Sequence, residues 1–343
     1  MPPPVAELLK DHTTLRLGGP ARDWVRATTE AELVDALSSL EGPVLVLGGG
    51  SNVVVADAGF DGTVVEVATR GVRADVEGDD PTCGGALVTV AAGESWDELV
   101  ATAVGRGWVG VEALAGIPGL VGATPIQNVG AYGQEVSQTV ARVRVWDRVL
   151  NGVRTFANAD CRFGYRTSRF KADPDRHVVL EVTFQLRQGS LGAPVQYAEL
   201  ARALGVELGQ RAPLADVREA VLGLRRSKGM VLDPDDHDTW SAGSFFTNPV
   251  VDTSEVPEGA PGWPQPDGRV KVPAAWLIEQ AGFHKGYGTG AVGLSTKHTL
   301  AITNRGGATT EELLALARQL RDGVEAAHGI RLVNEPVLVG CEL

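Results

Sequence analysis

Residues 116–135, GIPGLVGATPIQNVGAYGQE, constrain this chain more than any other stretch. Glycines stand at 116, 119, 122, 130 and 133, with Pro118 and Pro125 between them. Such spacing breaks both a regular helix and a regular strand. Yet Ile117, Leu120, Val121, Ile126 and Val129 make the run too apolar for a solvated linker. Two readings fit the composition: backbone wrapped around a large flat ligand, or a buried turn-rich loop.

The rest of the chain sets the bounds. Its 343 residues suffice for two or three domains. A formal net charge of -12 argues against a nucleic-acid partner. Cys83, Cys161 and Cys341 are odd in number and lack metal-ligand spacing, which points to a reducing compartment without a disulfide framework. The start, MPPPVAELLKDHTT, has no basic region followed by an apolar one, and no apolar run reaches membrane length. A cytoplasmic protein without membrane insertion is expected. The six histidines are scattered and no metal site is expected.

Local signals give an α/β order. Thr29 and Glu32 form a capping-box pattern that opens a helix with Leu33, Ala36, Leu37 and Leu40 inward. Gly42-Pro43 stops it. Residues 44–47 read as a short buried strand, followed by Gly48, Gly49, Gly50, Ser51 and Asn52. Residues 53–55 and 63–67 read as strands around an Asp61-Gly62 turn. GGGSN is neither a Walker loop nor a dinucleotide fingerprint. It reads as an anion nest or as a tight strand-to-strand turn. Residues 95–106 form a helix opened by Ser95 and Glu98, with Trp96, Leu99, Val100 and Ala103 inward. Strands are expected at 84–93, 139–145 and 178–186, and helices from 196 and over 214–224.

Several clusters carry polar chemistry. Residues 161–170, CRFGYRTSRF, hold three arginines and three aromatics. Arg225, Arg226 and Lys228 form a basic group on an acidic protein. Asp233, Asp235, Asp236 and Asp238 lack calcium-loop spacing and read as a solvated loop. In SAGSFFTNP, residues 241–249, a small-residue turn presents Ser244, suited better to a positioned hydroxyl than to a nucleophile. Residues 288–293 match G-x-G-x-x-G but lack the strand before and the helix after. A last helix starts at the Thr309 and Glu312 capping pattern. Strands at 330–333 and 337–339 flank Asn334-Glu335-Pro336, which locks a carboxylate beside a proline.

Taken together, LGGGSN at 47–52, the 116–135 stretch, CRFGYRTSRF, SAGSFFTNP, AAWLIEQAG at 274–282 and NEP at 334–336 resemble the UDP-N-acetylenolpyruvoylglucosamine reductase family. The match runs in order over nearly the whole chain. Residues 196–200, QYAEL, resemble the tyrosine loop of the family's long-loop class. Thr167 departs from the Asp usual after the Tyr-Arg pair, and residues 283–298 are only loosely similar.

The resemblance implies an α/β (α+β) protein with an FAD-binding domain of the vanillyl-alcohol-oxidase (PCMH) type in two subdomains, and a substrate-binding α/β domain. The implied boundaries are 1–68 with 330–343, 69–212, and 213–329. It implies an NADPH-dependent flavoprotein that reduces UDP-N-acetylglucosamine-enolpyruvate to UDP-N-acetylmuramate for peptidoglycan synthesis, acting as a monomer. Flavin N5 would pass hydride to C3, Ser244 would protonate C2, and Arg166 and Glu335 would stabilise the charge between. Gly48, Gly49, Gly50, Ser51, Asn52, Gly116, Ile117, Pro118, Gly119, Gly122, Ala123, Thr124, Ile126, Gln127, Asn128 and Gly130 match the cradle of a noncovalent FAD. Tyr165, Tyr197, Lys228, Asn248, Lys271 and Gln280 match substrate-binding positions. Another flavin oxidoreductase of the same fold would explain the glycine segments but not SAGSFF with NEP. A noncatalytic nucleotide-sugar binder would explain the basic cluster but not both flavin segments.

Overall fold

The computed structural model describes residues 7–76 and 84–343; residues 1–6 of the N-terminal reading and Cys83 lie outside them. The chain divides into two units, one of residues 24–49 and 62–227, the other of residues 1–23, 50–61 and 228–343.

The first unit is built on an antiparallel sheet ordered Gly152–Ala157, Val140–Asp147, His177–Gln188, Gly85–Ala91, Val72–Val76, with Trp108–Val109 pairing the end of His177–Gln188. Alternation decides which face is buried: Ala86, Val88 and Val90 are fully buried, and Leu87 between them is exposed. The helix Trp96–Gly105 covers this face, its Trp96 ring meeting Phe184 at 5.8 Å. Ser95 supplies its half of the expected box by accepting from the Glu98 N–H at 3.4 Å. Both rings are buried, so truncating either costs about 3–5 kcal/mol. The helix Glu30–Ser39 carries the full Thr29–Glu32 capping box, and Leu33, Ala36 and Leu37 are buried. Val44–Leu47 runs parallel to 63–66, but only Leu47 is buried, so this strand is less enclosed than its sequence implied.

The second unit has its core under the helix Thr310–His328, which carries the predicted capping box and ends at Gly329 in the left-handed region. Leu313, Leu316, Leu320 and Val324 pack with Phe245, Phe246, Leu277 and Ile278. Asp57 holds the helix start, accepting from the N–H groups of Thr310 at 2.8 Å and Glu311 at 3.1 Å. A negative group there satisfies open donors and suits the helix dipole. Val53–Val55 pairs in parallel with Val337–Val339.

Two local expectations are corrected. Asp61 and Gly62 lie inside the strand Phe60–Val67; the reversal occurs earlier, where the Gly59 N–H donates to the Ala56 carbonyl. Residues 330–333 form no strand: the Val333 carbonyl accepts from the Thr247 N–H, and the isolated bridge lies beyond them, between Phe246 and Asn334. The 116–135 stretch is irregular as expected, with a single turn of helix at Thr124–Gln127 and a small hairpin of Gly130–Ala131 with Gln134–Glu135.

Candidate active site

In the first unit the two glycine segments meet. Gly49 lies so close to Gly119 that an added Cβ would come within 2.9 Å of the Gly119 Cα, and Gly48 faces the Leu120 side chain. The loop is fixed from behind. Gly116 donates to Asp97 at 2.6 Å, Val121 to the Glu94 carbonyl and Gly122 to the Ala92 carbonyl, both at 2.9 Å. Thr124 is buried and donates its hydroxyl to the Val121 carbonyl. Asn128, in the left-handed region, donates to Glu135 and the Gly164 carbonyl and accepts from the Ser137 N–H, so its amide holds the turn.

Ile117, Pro118, Gly119, Ile126, Gln127 and Gly130 stay half-buried, Ala123 exposed. An apolar shelf next to two glycine backbones suits a flat ring system. The Gln127 Oε1 is buried and accepts no bond from the described residues, which suits a donor on a ring or polyol. These residues fit FAD. The buried Cys161 thiol is pushed up to about 12 by burial and is a poor nucleophile for covalent attachment.

Arg166 is also in this unit. It sits in the left-handed region at the tip of a tight Gly164–Thr167 turn closed by two backbone bonds. Its guanidinium donates to the carbonyls of Gly130 at 2.7 Å and Asn128 at 3.5 Å, and stands 5.7 Å from the Tyr165 ring centre. Thr167 is exposed. The glycine stretch therefore orients Arg166, and the missing Asp at 167 does not leave it loose. Tyr197 is the N-cap of the helix Ala198–Leu204 and is 38% exposed; its ring meets Tyr132 edge-on at 5.5 Å. Sequence reading overlooked Tyr132, whose phenol is pushed up to about 12, chiefly by burial. Arg225 is drawn down to about 10 by burial and remains a cation at neutral pH.

The second unit brings together residues that the sequence separates widely. The Glu335 N–H donates to the Phe245 carbonyl at 2.8 Å, directly after Ser244. Asn52 joins them: its Nδ2 donates to the Glu335 carbonyl at 3.4 Å and its own carbonyl accepts from Val337 at 3.0 Å. Ser244, Glu335, Ser51 and Asn52 are all half-buried. Phe245 and Phe246, almost fully buried, anchor the serine turn in the core. Gly50, at φ +59, approaches the His12 carbonyl so closely that a Cβ would sit 1.9 Å from it. Asn248 accepts from the Ala274 N–H at 2.9 Å and so starts the helix Ala274–Gln280, whose last residue, Gln280, is exposed. Lys271 pairs with Val250 across a short sheet and lies 5.8 Å from the Trp263 ring centre. Lys228 follows the helix Leu214–Ser227.

Residues 233–339 match the family model described as UDP-N-acetylenolpyruvoylglucosamine reductase, C-terminal domain, and residues 23–152 match an FAD binding domain. A UDP-N-acetylenolpyruvoylglucosamine reductase of Cutibacterium acnes is 59% identical over 337 residues, covering 96% of this chain and 89% of its own. The chain belongs to the UDP-N-acetylenolpyruvoylglucosamine reductase family. A second relative with that name, from Streptomyces coelicolor, is 55% identical over 361 residues, 99% of this chain and 92% of its own. The crystal structure of the Thermus caldophilus reductase superposes with a TM-score of 0.67 at 25% identity, over 98% of each chain. The fold class is the expected one: an FAD-binding domain of the PCMH type with the family's C-terminal domain. The chain is an FAD oxidoreductase, a member of a family that serves peptidoglycan synthesis.

Among the described residues no helix is long and apolar enough to cross a membrane, and no group of three His, Cys, Asp or Glu is placed to hold a metal ion.

Proposed function

We propose that this enzyme uses NADPH to reduce the enolpyruvyl group of UDP-N-acetylglucosamine-enolpyruvate, giving UDP-N-acetylmuramate. The observation that carries this reading is the 2.8 Å bond between Glu335 and Phe245, which fixes the NEP and SAGSFF motifs side by side. A noncovalent FAD, held by the glycine positions from 48 to 52 and from 116 to 130, would supply the hydride chemistry that links NADPH to C3 of the enolpyruvyl double bond.

The chain's own residues do the rest. Negative charge grows at C2 and on its carboxylate, and fixed donors stabilise it most where water is excluded. Arg166 takes this role through its guanidinium, and Glu335 through a hydrogen bond or as the neutral acid. The Ser244 hydroxyl gives its proton to C2. General acid catalysis of this kind contributes roughly 10²–10⁴-fold. A serine hydroxyl is a weak acid, so its surroundings or a relay must assist the transfer. Tyr197, Lys228, Asn248, Lys271 and Gln280 grip the nucleotide sugar, and Tyr165 lies beside the reacting group. The glycine positions from 48 to 52 and from 116 to 130 carry the FAD. The functional division remains 1–68 with 330–343, 69–212, and 213–329, and the enzyme works in the cytoplasm as a monomer.

The test is stoichiometry. Oxidation of NADPH should match formation of a lactyl ether heavier than the substrate by one H2. Oxidation at the same rate without the sugar, with oxygen consumed instead, would mark an oxidase.

A further inference from the structure

Glu112 is the one acid in the apolar run from Val109 to Ala115, and none of its surface is exposed. An isolated buried carboxylate is costly, so its donors must matter. Its Oε2 accepts from the Gly110 N–H at 2.6 Å. Its Oε1 accepts from the Ala193 N–H at 2.6 Å and from Gln134 Nε2 at 3.0 Å. Gln134 is itself buried and accepts from the Ala113 N–H at 2.8 Å, which fixes which end of its amide faces Glu112.

The two donors to Oε1 come from the two segments that carry Tyr197 and Tyr132. Ala193 lies in the segment leading to Tyr197. Gln134 lies in the hairpin that carries Tyr132, on whose ring Tyr197 packs. One carboxylate thus fixes both the root of the tyrosine loop and the surface that receives its tip. The loop's other side is laced to residues 209–213, with Gly192 donating to Ala212 and Val195 to Gln210, each at 2.8 Å. Gly192 leaves the carboxylate just enough room: a Cβ there would come 2.9 Å from Oε1.

We propose that Glu112 is a positioning residue for substrate binding, setting Tyr197 against Tyr132 so that the loop is held ready for the nucleotide sugar. This rests on the reading of Tyr197 as a substrate contact. Without Glu112 the binding-ready arrangement becomes a minority state, and apparent affinity falls by that fraction.

The test uses the FAD-loaded enzyme. Glu112→Leu removes all three acceptor contacts, and Gly192→Ala crowds Oε1 while keeping the carboxylate. Each should raise KM for UDP-N-acetylglucosamine-enolpyruvate about tenfold with kcat changed by less than about threefold, as expected for loss of a buried hydrogen bond. Glu112→Gln keeps one oxygen for Ala193 and Gln134 but turns an amide donor toward the Gly110 N–H, so it should raise KM less than Glu112→Leu does. Combined with Tyr197→Ala, neither change should raise KM further. If Glu112→Leu does not fold, Gly192→Ala decides alone. An unchanged KM in the variants that fold, or a full multiplicative rise on top of Tyr197→Ala, overturns the proposal. Tyr197→Ala is measured by itself: if it leaves KM unaltered, the substrate role of Tyr197 fails, and this inference falls with it.

Discussion

Glu335 hangs by its backbone N–H from the carbonyl of Phe245, 2.8 Å away, and Phe245 is the neighbour of Ser244. Phe245 is buried and cannot shift without opening the core. The proposed proton donor and the proposed carboxylate are therefore held in a fixed register before any ligand arrives. Such preorganisation is what transition-state stabilisation requires.

Ser244→Ala tests the proton donor. The variant should keep FAD and still be reduced by NADPH, but its turnover of the enolpyruvyl sugar should fall by roughly 10²–10⁴-fold. Stopped-flow reoxidation of the reduced variant by substrate is the direct measurement. A rate within about twofold of wild type removes Ser244 from the mechanism.

Tyr197→Ala tests the loop. A tyrosine offers a flat rigid face and a polar tip for a nucleotide. Its removal should raise KM for the UDP-sugar much more than KM for NADPH. If both constants stay put while the melting temperature drops, the residue only packs against Tyr132.

Gly49→Ala tests the cradle. The new methyl would press on the Gly119 backbone at 2.9 Å, and backbone cannot yield as a flexible side chain does. Protein purified from this variant should hold less FAD per chain, read from the ratio of flavin to protein absorbance. Gly50→Ala adds a positive φ to a 1.9 Å overlap with the His12 carbonyl and should destabilise the whole fold. Full FAD occupancy in Gly49→Ala would contradict the placement of the cofactor here.

How much of this was legible in the sequence depended on the range of the interactions. The helices opening at Thr29 and Thr309 were readable because their capping boxes need only four neighbouring residues. The coming together of Gly49 with Gly119 was implied by family resemblance, not by any local pattern. Asp61-Gly62 misled because a good turn dipeptide was absorbed into the strand Phe60–Val67, the middle strand of a three-stranded sheet. Residues 330–333 misled because apolar alternation says nothing about whether a partner strand exists. Glu112 and Tyr132 escaped notice because their importance lies in contacts with Ala193 and Tyr197, far along the chain. An acid inside an apolar run was the one available signal for Glu112.

The fold should also carry a defined acid sensitivity. Asp147 is fully buried, which by itself raises its pKa. That is outweighed by the Arg176 guanidinium at 3.0–3.2 Å and by the N–H groups of Leu150 and Val149, which bring it to about 2. The folded value lies below the ordinary 3.8, so this contribution is complete above pH 3.8 and is lost as pH falls through about 2. His177 beside it is lowered, chiefly by burial, so its own contribution fades as pH drops below the ordinary 6.5. Asp147→Asn should melt well below wild type at neutral pH. The gap in Tm should close between pH 3.8 and about 2. A gap independent of pH would show that packing, not charge, makes Asp147 important.

The visible spectrum of the purified protein, followed anaerobically, tests the central claim most directly. The account predicts a yellow protein whose flavin absorbance is bleached by NADPH and returns when UDP-N-acetylglucosamine-enolpyruvate is added. A colourless protein, or a flavin that regains its colour only when oxygen is admitted, would contradict it.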